Sequence, residues 1–347
     1  MLDHHDSTIL ALAGTTTRLA GTAAQHTGLS RVAVSRRIKR LADAGYLTRH
    51  GSGTRQTYSP GTHRFWKLSL PLDAAARLGE SGLWESHVSP LMTGLPANIV
   101  NIANIGFTEM VNNVLDHSGA NTLDMGLHVH GGRLQMAVMD DGVGIFHKVS
   151  AALNLFDERL ALLEIAKGKY TTAVAGHSGM GIFVSSRMLD GFLIHSGGLS
   201  FVPRTPAGAD LSFRWIEPQS HTGGTVVLMD IALDSVRTAQ SVYERYFTAD
   251  EVGADAFHTT EVPVKLAQLS SQLISRSQGK WVVERATQFR TVVLDFEGVE
   301  MVGQAFVDEV FRVFALAHPQ VRLVPVNLTP AVQRLVGLFA PHATLAT

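Results

Sequence analysis

The 347-residue sequence contains no cysteine. This absence excludes disulfides, thiolate zinc sites and iron–sulfur clusters, and it is consistent with a reducing cytosol. No unbroken apolar run approaches the roughly 20 residues that span a bilayer. The N-terminus, MLDHHDST, is acidic and histidine-rich, unlike a secretory signal. We therefore expect a cytoplasmic protein with no membrane partner.

Two catalytic motifs are also missing. The P-loop pattern G-x-x-x-x-G-K-[ST] is absent, because Tyr170 follows Gly168-Lys169 and Leu163 stands where its first glycine should be. The sequence contains no H-E-x-x-H zinc motif. The segment DHHD, residues 3–6, could suggest a metal site, but we favour a frayed terminus as its explanation.

Charge is unevenly spread along a chain whose formal net charge is −1. Residues 1–64 hold nine Lys or Arg and only three acids, so this segment is basic and the remainder is acidic. Apolar residues make up 45% of the chain, and its length exceeds that of one compact domain. The sequence thus predicts two or three domains, with a basic module joined to an acidic body.

The basic segment predicts three helices and a hairpin. We expect a first helix over residues 7–21 and a short second helix within 22–30 that Gly28 ends. Ser30 can cap a third helix over 30–45, which Gly45 ends. The segment YLTRHGSGTRQTYSP then predicts two short strands around a glycine turn. This order resembles a winged helix-turn-helix DNA-binding domain, and we assign it to residues 1–65.

The third helix of this segment has an apolar and a basic face. Val34, Ile38 and Leu41 predict a buried stripe. The basic face can lie in the major groove of DNA, while the hairpin touches phosphates or the minor groove. A winged helix used for protein contacts, or a solvated basic face, would give the same pattern. The residues expected to contact DNA are Arg31, Ser35, Arg36, Lys39, Arg40, Arg49 and Arg55.

The segment GFTEMVNNVLDHSGA, residues 106–120, combines an apolar helix face with a polar row. Glu109, Asn113 and His117 are four residues apart, so they share one helix edge. An amide oxygen can join a Mg²⁺ shell, and a carboxylate can orient or deprotonate a water. From this stretch alone, a helix edge with ordinary caps and solvated polar residues would show the same sequence pattern.

Three later segments extend the pattern. LQMAVMDDGVGIF is an apolar strand that runs into Asp140, whose carboxylate can accept a hydrogen bond from an exocyclic amine. The glycines that follow let backbone approach a flat ring. GHSGMGIF, residues 176–183, opens a helix with a glycine turn suited to phosphate. GGTVVLMDI, residues 223–231, is a glycine-led strand.

The order E-x-x-x-N, D-x-G-x-G, G-x-G and then G-T before a strand resembles the GHKL ATPase superfamily. Gyrase-type ATPases, heat-shock chaperones, mismatch-repair ATPases and histidine kinases belong to it. The resemblance implies a Bergerat-type α/β sandwich over residues 96–232, with a helix layer on a mixed sheet, that binds ATP and Mg²⁺. It also implies a mobile lid over ATP at residues 145–175. Lys167 and Lys169 lie in this segment, and we interpret them as ordinary surface lysines.

The same resemblance implies a role for individual residues. Glu109 matches the catalytic residue that activates water, Asn113 the Mg²⁺ ligand, and Asp140 the adenine-binding carboxylate. Thr225 matches the threonine that supports the adenine end. The residues expected to bind the nucleotide are Asn112, Asn113, His117, Asp140, Gly142, Gly144, Gly176, His177, Ser178, Gly179, Met180, Gly181 and Thr225.

The remaining segments complete an α/β multidomain chain. We expect a helical connector at residues 66–95, a polar linker at 233–257 and a small α/β domain at 258–347. The stretch LDFEGVEMVGQAFVDEVF resembles STAS-like domains that follow GHKL modules in bacterial proteins. STAS domains of anti-sigma antagonists carry a phosphorylatable hydroxyl at the turn that reads Val302-Gly303-Gln304-Ala305 here. We therefore expect no phosphorylation at that turn, and we interpret the domain as a module for a protein partner or for self-association.

These resemblances together predict a bacterial DNA-binding regulator. We expect it to bind ATP, to hydrolyse it slowly, and to change domain arrangement or oligomeric state as a homodimer. One alternative is an anti-sigma-type serine/threonine protein kinase, because EMVNNVLDHS resembles those kinases. Another is a nucleotide sensor that does not hydrolyse ATP. A histidine kinase is less favoured, since no helix pair with a phosphoacceptor histidine precedes residue 96.

Overall fold

The computed structural model describes residues 3–61, 63–168, 181–203, 223–246, 259–262 and 272–339. Over these residues the protein is of the mixed α/β class, as expected, and its chain divides into two compact units. The first unit comprises residues 1–142, 189–192 and 206–238. The second unit comprises residues 143–188, 193–205 and 239–347.

Helices and strands follow one another in runs of one to three elements along the described chain. The helices are α1 (His4–Leu12), α2 (Leu19–Thr27), α3 (Arg31–Asp43), α4 (Leu72–Leu83), α5 (Ala97–His117), α6 (Ile145–Ala152), α7 (Arg159–Lys167), α8 (Gly181–Met188), α9 (Ala239–Tyr246), α10 (Arg276–Val283), α11 (Gln304–Val307) and α12 (Pro330–Phe339). Helix α11 continues through a π-helical stretch, Asp308–Phe314, to Ala315–Ala317. Among the described helices, none combines the length and the apolar character needed to cross a membrane.

The strands are mostly short. They are β1 (Leu47–His50), β2 (Thr57–Pro60), β3 (Arg64–Pro71), β4 (Thr122–His130), β5 (Arg133–Asp140), β6 (Gly191–Ser196), β7 (Leu199–Phe201), β8 (Thr225–Ala232), β9 (Thr259–Val262), β10 (Gln272–Leu273), β11 (Thr291–Asp295), β12 (Met301–Val302) and β13 (Arg322–Val326). A six-stranded sheet has the order β3-β4-β5-β8-β6-β7, and a three-stranded sheet has the order β13-β11-β9.

Helix α3 forms as the sequence predicts. The Ser30 hydroxyl accepts a hydrogen bond from the Ala33 N–H at 3.2 Å, which satisfies a donor at the helix start. Val34, Ile38 and Leu41 are at most 2% exposed, so the buried stripe is confirmed. Strands β1 and β2 then pair antiparallel, as expected for the hairpin.

The predicted end of the first helix and start of the second were wrong, whereas Gly28 ends the second helix as expected. Helix α1 ends at Leu12, and Gly14 enters a turn with φ of +82°. Helix α2 therefore begins at Leu19 and not at residue 22. The interpretation of residues 3–6 as frayed was also wrong, because Asp3 caps α1 and Asp6 is fully buried against Arg37 and Arg40.

The six-stranded sheet differs from the prediction in two ways. The pairs β3–β4, β4–β5, β5–β8 and β6–β7 are antiparallel, so none of them supplies the parallel contact of the expected mixed sheet. Strand β3 also lies largely within residues 66–95, which were expected to form a helical connector. It pairs with β4 over its whole length and buries Trp66. The connector prediction was right only for the helical part that begins at α4.

Helix α5 packs its apolar face on the sheet. Phe107, Met110 and Val111 are at most 1% exposed. Gly106 lies so close to strand β8 that an added Cβ would be 3.2 Å from the Met229 sulfur. This close approach fixes which helix edge remains half-buried, and that edge carries the polar row predicted from the sequence.

The C-terminal elements are of the expected α/β class. Strand β11 lies between β9 and β13 and pairs parallel with both. Parallel neighbours need crossover connections, which are commonly helices. Helices α10 and α11 flank β11 in the sequence, and α12 follows β13. Helix α10 begins with a reciprocal cap between Ser275 and Gln278.

Helix α7 is buried on all sides within the second unit. Its Lys167 is 1% exposed and donates hydrogen bonds to Glu164 Oε1 at 2.8 Å, to the Trp281 carbonyl at 3.3 Å and to the Glu284 carbonyl. Arg285 Nη1 pairs with the second oxygen of Glu164 at 2.9 Å. Burial lowers the pKa of Lys167. The interpretation of Lys167 as a surface lysine was therefore wrong, and Lys169 lies outside the described residues.

The substitution Glu164→Gln should lower the free energy of unfolding by roughly 3–5 kcal/mol, because it leaves the buried Lys167 and the half-buried Arg285 without their carboxylate. Chemical denaturation monitored by circular dichroism measures this change. The matched control is Glu300→Gln, an exposed site, which should stay within about 0.5 kcal/mol of the wild type. Equal stability of the two variants would contradict the assignment of this ion-pair cluster.

Candidate functional site

Helix α5 carries the predicted polar row on one continuous helix. Glu109, Asn113 and His117 are all half-buried and lie on the same edge, and Asn112 beside them is also half-buried. The Asn113 amide nitrogen lies 3.9 Å from the Met110 sulfur, a weak contact. Carboxylate and amide oxygens are the ligands that Mg²⁺ accepts, so the donor set of this edge fits that ion.

Asp140 ends strand β5 as a buried carboxylate, 3% exposed. Its Oδ1 accepts a hydrogen bond from the Gly142 N–H at 2.9 Å, and Thr225 is its register partner on β8. Burial raises the pKa of Asp140, and the neighbouring Asp141 charge adds to this rise. Hydrogen bonds from Gly142 and from Thr225 act in the opposite direction. The site therefore holds a desolvated carboxyl group with two hydrogen-bonding neighbours.

The turn after β5 lies directly against the loop that follows α5. A Cβ on Gly142 would fall 2.2 Å from the Ser118 carbonyl oxygen, so only glycine fits there. Asp141 Oδ1 accepts hydrogen bonds from the N–H groups of Asn121 at 2.7 Å and Thr122 at 2.9 Å. The Thr122 and Asn121 hydrogen bonds lower the pKa of Asp141. Backbone contacts thus join the Asp140 turn to the end of the polar helix.

Two glycines bring strand β8 to the same place. Gly224 has φ of +84°, and a Cβ there would lie 2.0 Å from the Asp140 carbonyl oxygen. A Cβ on Gly223 would lie 3.5 Å from the Gly142 carbonyl oxygen. Both backbone conformation and space therefore require glycine at position 224. Thr225 follows immediately and is buried.

The structure brings together three of the four predicted segments, all within the first unit. They are the end of α5, the turn at residues 140–142 and the start of β8. In the second unit, Gly144 precedes α6 with φ of +83°, and Gly181 is the first residue of α8. The other predicted phosphate-side residues, Gly176, His177, Ser178, Gly179 and Met180, lie outside the described residues.

The predicted DNA-contacting side chains are all exposed, on α3 and around the β1–β2 hairpin. Arg40 also pairs with the buried Asp6, so part of its charge is already neutralised within the protein. The Arg31 guanidinium lies over α2, with Nη2 3.5 Å from the position of a Cβ on Gly21. This surface is basic and accessible, which is what phosphate contacts require.

One cluster was not predicted from the sequence. His63, His128 and His130 lie together in the first unit, with one ring nitrogen of each within 4.8 Å of the others. The pattern H-x-H within a strand, formed here by His128 and His130, could have indicated two of its members, because side chains two residues apart share a face. The third histidine is 65 residues before His128, so only strand pairing identifies it.

Comparison with known families supports one region of the chain. A model described as a STAS-like domain of unknown function (DUF4325) matches residues 278–333, which include β11 to β13 with α11, most of α10 and the first residues of α12. The predicted STAS-like character of the C-terminal region is thereby confirmed. A search of curated proteins returned no match.

The two acidic residues of the turn should respond oppositely to pH. The pKa of Asp140 is raised in the folded protein, so ionisation of this carboxyl lowers the free energy of unfolding. This destabilisation is absent below pH about 3.8 and is complete above the folded-state pKa. The melting temperature of Asp140→Asn, relative to wild type, should therefore be higher at pH 7 than near pH 4. The lowered pKa of Asp141 adds stability that is present above pH about 3.8 and is lost as the pH falls through the lower folded-state pKa. The melting temperature of Asp141→Asn, relative to wild type, should therefore be lower at pH 7 than near pH 3. Thermal unfolding at these pH values tests this, and a change of the same sign with pH for both variants would contradict it.

Proposed function

We propose that the protein is an ATP-binding and DNA-binding regulator of the GHKL type. The observation that carries this proposal is the junction of the Asp140 turn, the glycine-led start of β8 and the polar end of α5 within one unit. The sequence order of these segments is that of GHKL ATPases. Their packing supports the same interpretation, because the contacts that join them are backbone contacts that require glycine.

Each residue of this junction has a stated role in the proposal. Asp140 accepts a hydrogen bond from the adenine amine, and the adjacent Thr225 hydroxyl orients that carboxylate. Gly142 lets the backbone lie flat near the ring. Asn113 contributes an oxygen to the ion that neutralises phosphate charge. Glu109 orients or deprotonates the attacking water.

The DNA part of the proposal concerns the exposed basic face of α3. This face presents cationic side chains on a helix whose opposite stripe is buried, as helices that enter the major groove do. ATP can regulate DNA binding only if it binds two arrangements of the protein with different affinities. A tenfold difference in affinity corresponds to about 1.4 kcal/mol of coupling.

ATP binding and turnover by purified protein test the nucleotide site. Asp140→Asn should weaken binding of a non-hydrolysable ATP analogue at least tenfold in calorimetry. Asparagine keeps only one acceptor oxygen, and while that oxygen accepts from the Gly142 N–H, the NH₂ group faces the adenine amine and cannot accept its hydrogen bond. Glu109→Gln should retain binding and lower phosphate release by roughly 10²–10⁴-fold, the usual contribution of a general base. The matched control is Asp116→Asn, which is exposed on the same helix outside the polar row and should change neither quantity.

The outcomes separate the proposal from its alternatives. Absence of ATP binding by the wild type would contradict the nucleotide site. Transfer of labelled phosphate to a protein would instead identify the kinase. Binding without turnover, with Glu109→Gln indistinguishable from wild type, would identify a nucleotide sensor.

DNA binding across a salt series tests the basic face. Arg36→Ala should weaken binding to all duplexes similarly and reduce the slope of log K against log salt by about 1, as expected for a lost phosphate contact. Arg40→Ala should change the slope less, because Asp6 already pairs with this guanidinium. The control is Arg322→Ala, an exposed position on β13, which should leave binding unchanged. Identical slopes for Arg36→Ala and wild type would contradict the assignment of α3.

A further inference from the structure

The histidine cluster follows from the register of the edge strands. β3 pairs antiparallel with β4, with Phe65 opposite His128 and Arg64 opposite Val129. The same register, extended by one residue, brings His63 opposite His130. His128 and His130 are two residues apart on β4, so their side chains share a face. Three imidazoles therefore meet on one face at the end of this strand pair.

The distances within this cluster suit a metal ion. His63 Nε2 and His128 Nε2 are 3.2 Å apart, and all three ligand nitrogens lie within 4.8 Å of one another. A tetrahedral Zn²⁺ with Zn–N bonds of about 2.0–2.1 Å separates its ligand nitrogens by roughly 3.3 Å. One pair already has this separation, so only small movements of the rings are required to complete the set.

Neighbouring aromatic rings hold two of the imidazoles in place. Tyr46 stacks on His63, with ring centroids 4.7 Å apart and an interplanar angle of 18°. Phe65 meets His128 edge-on, with centroids 5.7 Å apart. The backbone N–H of His63 also donates to the Gly45 carbonyl at 3.1 Å. Ligands positioned by their surroundings lose less conformational entropy when they bind.

The protonation state of the cluster is compatible with metal binding. Burial, with a smaller contribution from the adjacent imidazoles, lowers the pKa of His128 to about 4. Burial also lowers the pKa of His63. Neutral imidazole is the form that ligates metals. His63 and His128 also share a hydrogen bond without a metal, so metal binding has to be measured directly.

We propose that His63, His128 and His130 form a binding site for a divalent transition-metal ion, and that zinc is the ion it takes. Zinc accepts three imidazoles in tetrahedral geometry and leaves a fourth position for water or another ligand. His63 lies beside Gly45 and Tyr46 of the N-terminal segment, whereas the other two ligands belong to the sheet. The bound ion would therefore cross-link the basic N-terminal module to the edge of the six-stranded sheet.

Calorimetric titration of ZnCl₂ into the full chain, purified without a polyhistidine tag, tests this site. The wild type should bind one zinc per chain with an affinity that each single substitution, His63→Ala, His128→Ala or His130→Ala, weakens at least tenfold. His195→Ala removes an exposed histidine outside the cluster and should bind as the wild type does. Zinc should also raise the melting temperature of the wild type and of His195→Ala, but not of His130→Ala.

The outcomes of this experiment are independent of the nucleotide site, because no ATP is present. A wild type that binds no more zinc than His130→Ala would overturn the proposal. A loss of binding in His195→Ala equal to that in the cluster variants would overturn it as well. His130 is exposed, so its alanine variant still decides the question if the His128 variant fails to fold.

Discussion

The contact between Gly142 and the Ser118 carbonyl is the constraint on which the candidate nucleotide site depends. It brings the end of β5 against the loop that follows α5, and the Asp141 carboxylate holds that loop by two backbone N–H groups. The contact uses a backbone atom of Ser118, so it specifies a position at which glycine is required.

Local sequence patterns were sufficient to predict the elements that are stabilised by interactions between residues close in the sequence. The cap at Ser30 and the apolar stripe of α3 define that helix without reference to the rest of the fold. The α/β class of the C-terminal region was likewise predicted, because buried strands and amphipathic helices follow one another there. Strand β3 was missed because an edge strand forms only when a distant partner, here β4, provides its hydrogen bonds.

Tertiary contacts explain what could not be predicted. From the sequence, Lys167 was interpreted as a surface residue because burying an isolated ammonium group is unfavourable. Only the folded structure shows that Glu164 and two carbonyl groups accept hydrogen bonds from it and so offset the cost of burial. The histidine cluster depends in the same way on strand register. In the candidate nucleotide site, helical spacing gave the polar row, but the approach of Gly224 to the Asp140 carbonyl follows from folding alone. Strand β4 has the Asp140 turn at its Leu123 end and two of the cluster histidines toward its other end, so the two candidate sites are spatially separate.

The burial of α7 has a consequence for how the C-terminal region behaves as a folding unit. Lys167 occupies the carbonyl groups of Trp281 and Glu284, and Phe156 lies against the Trp281 ring at a centroid distance of 5.0 Å. A fragment excised at residue 258 would expose these groups to water. The STAS-like region and α7 should consequently unfold together, as one cooperative segment formed by two stretches that are distant in the sequence. Native-state hydrogen exchange should then show the same free energy of opening for the amides of both stretches.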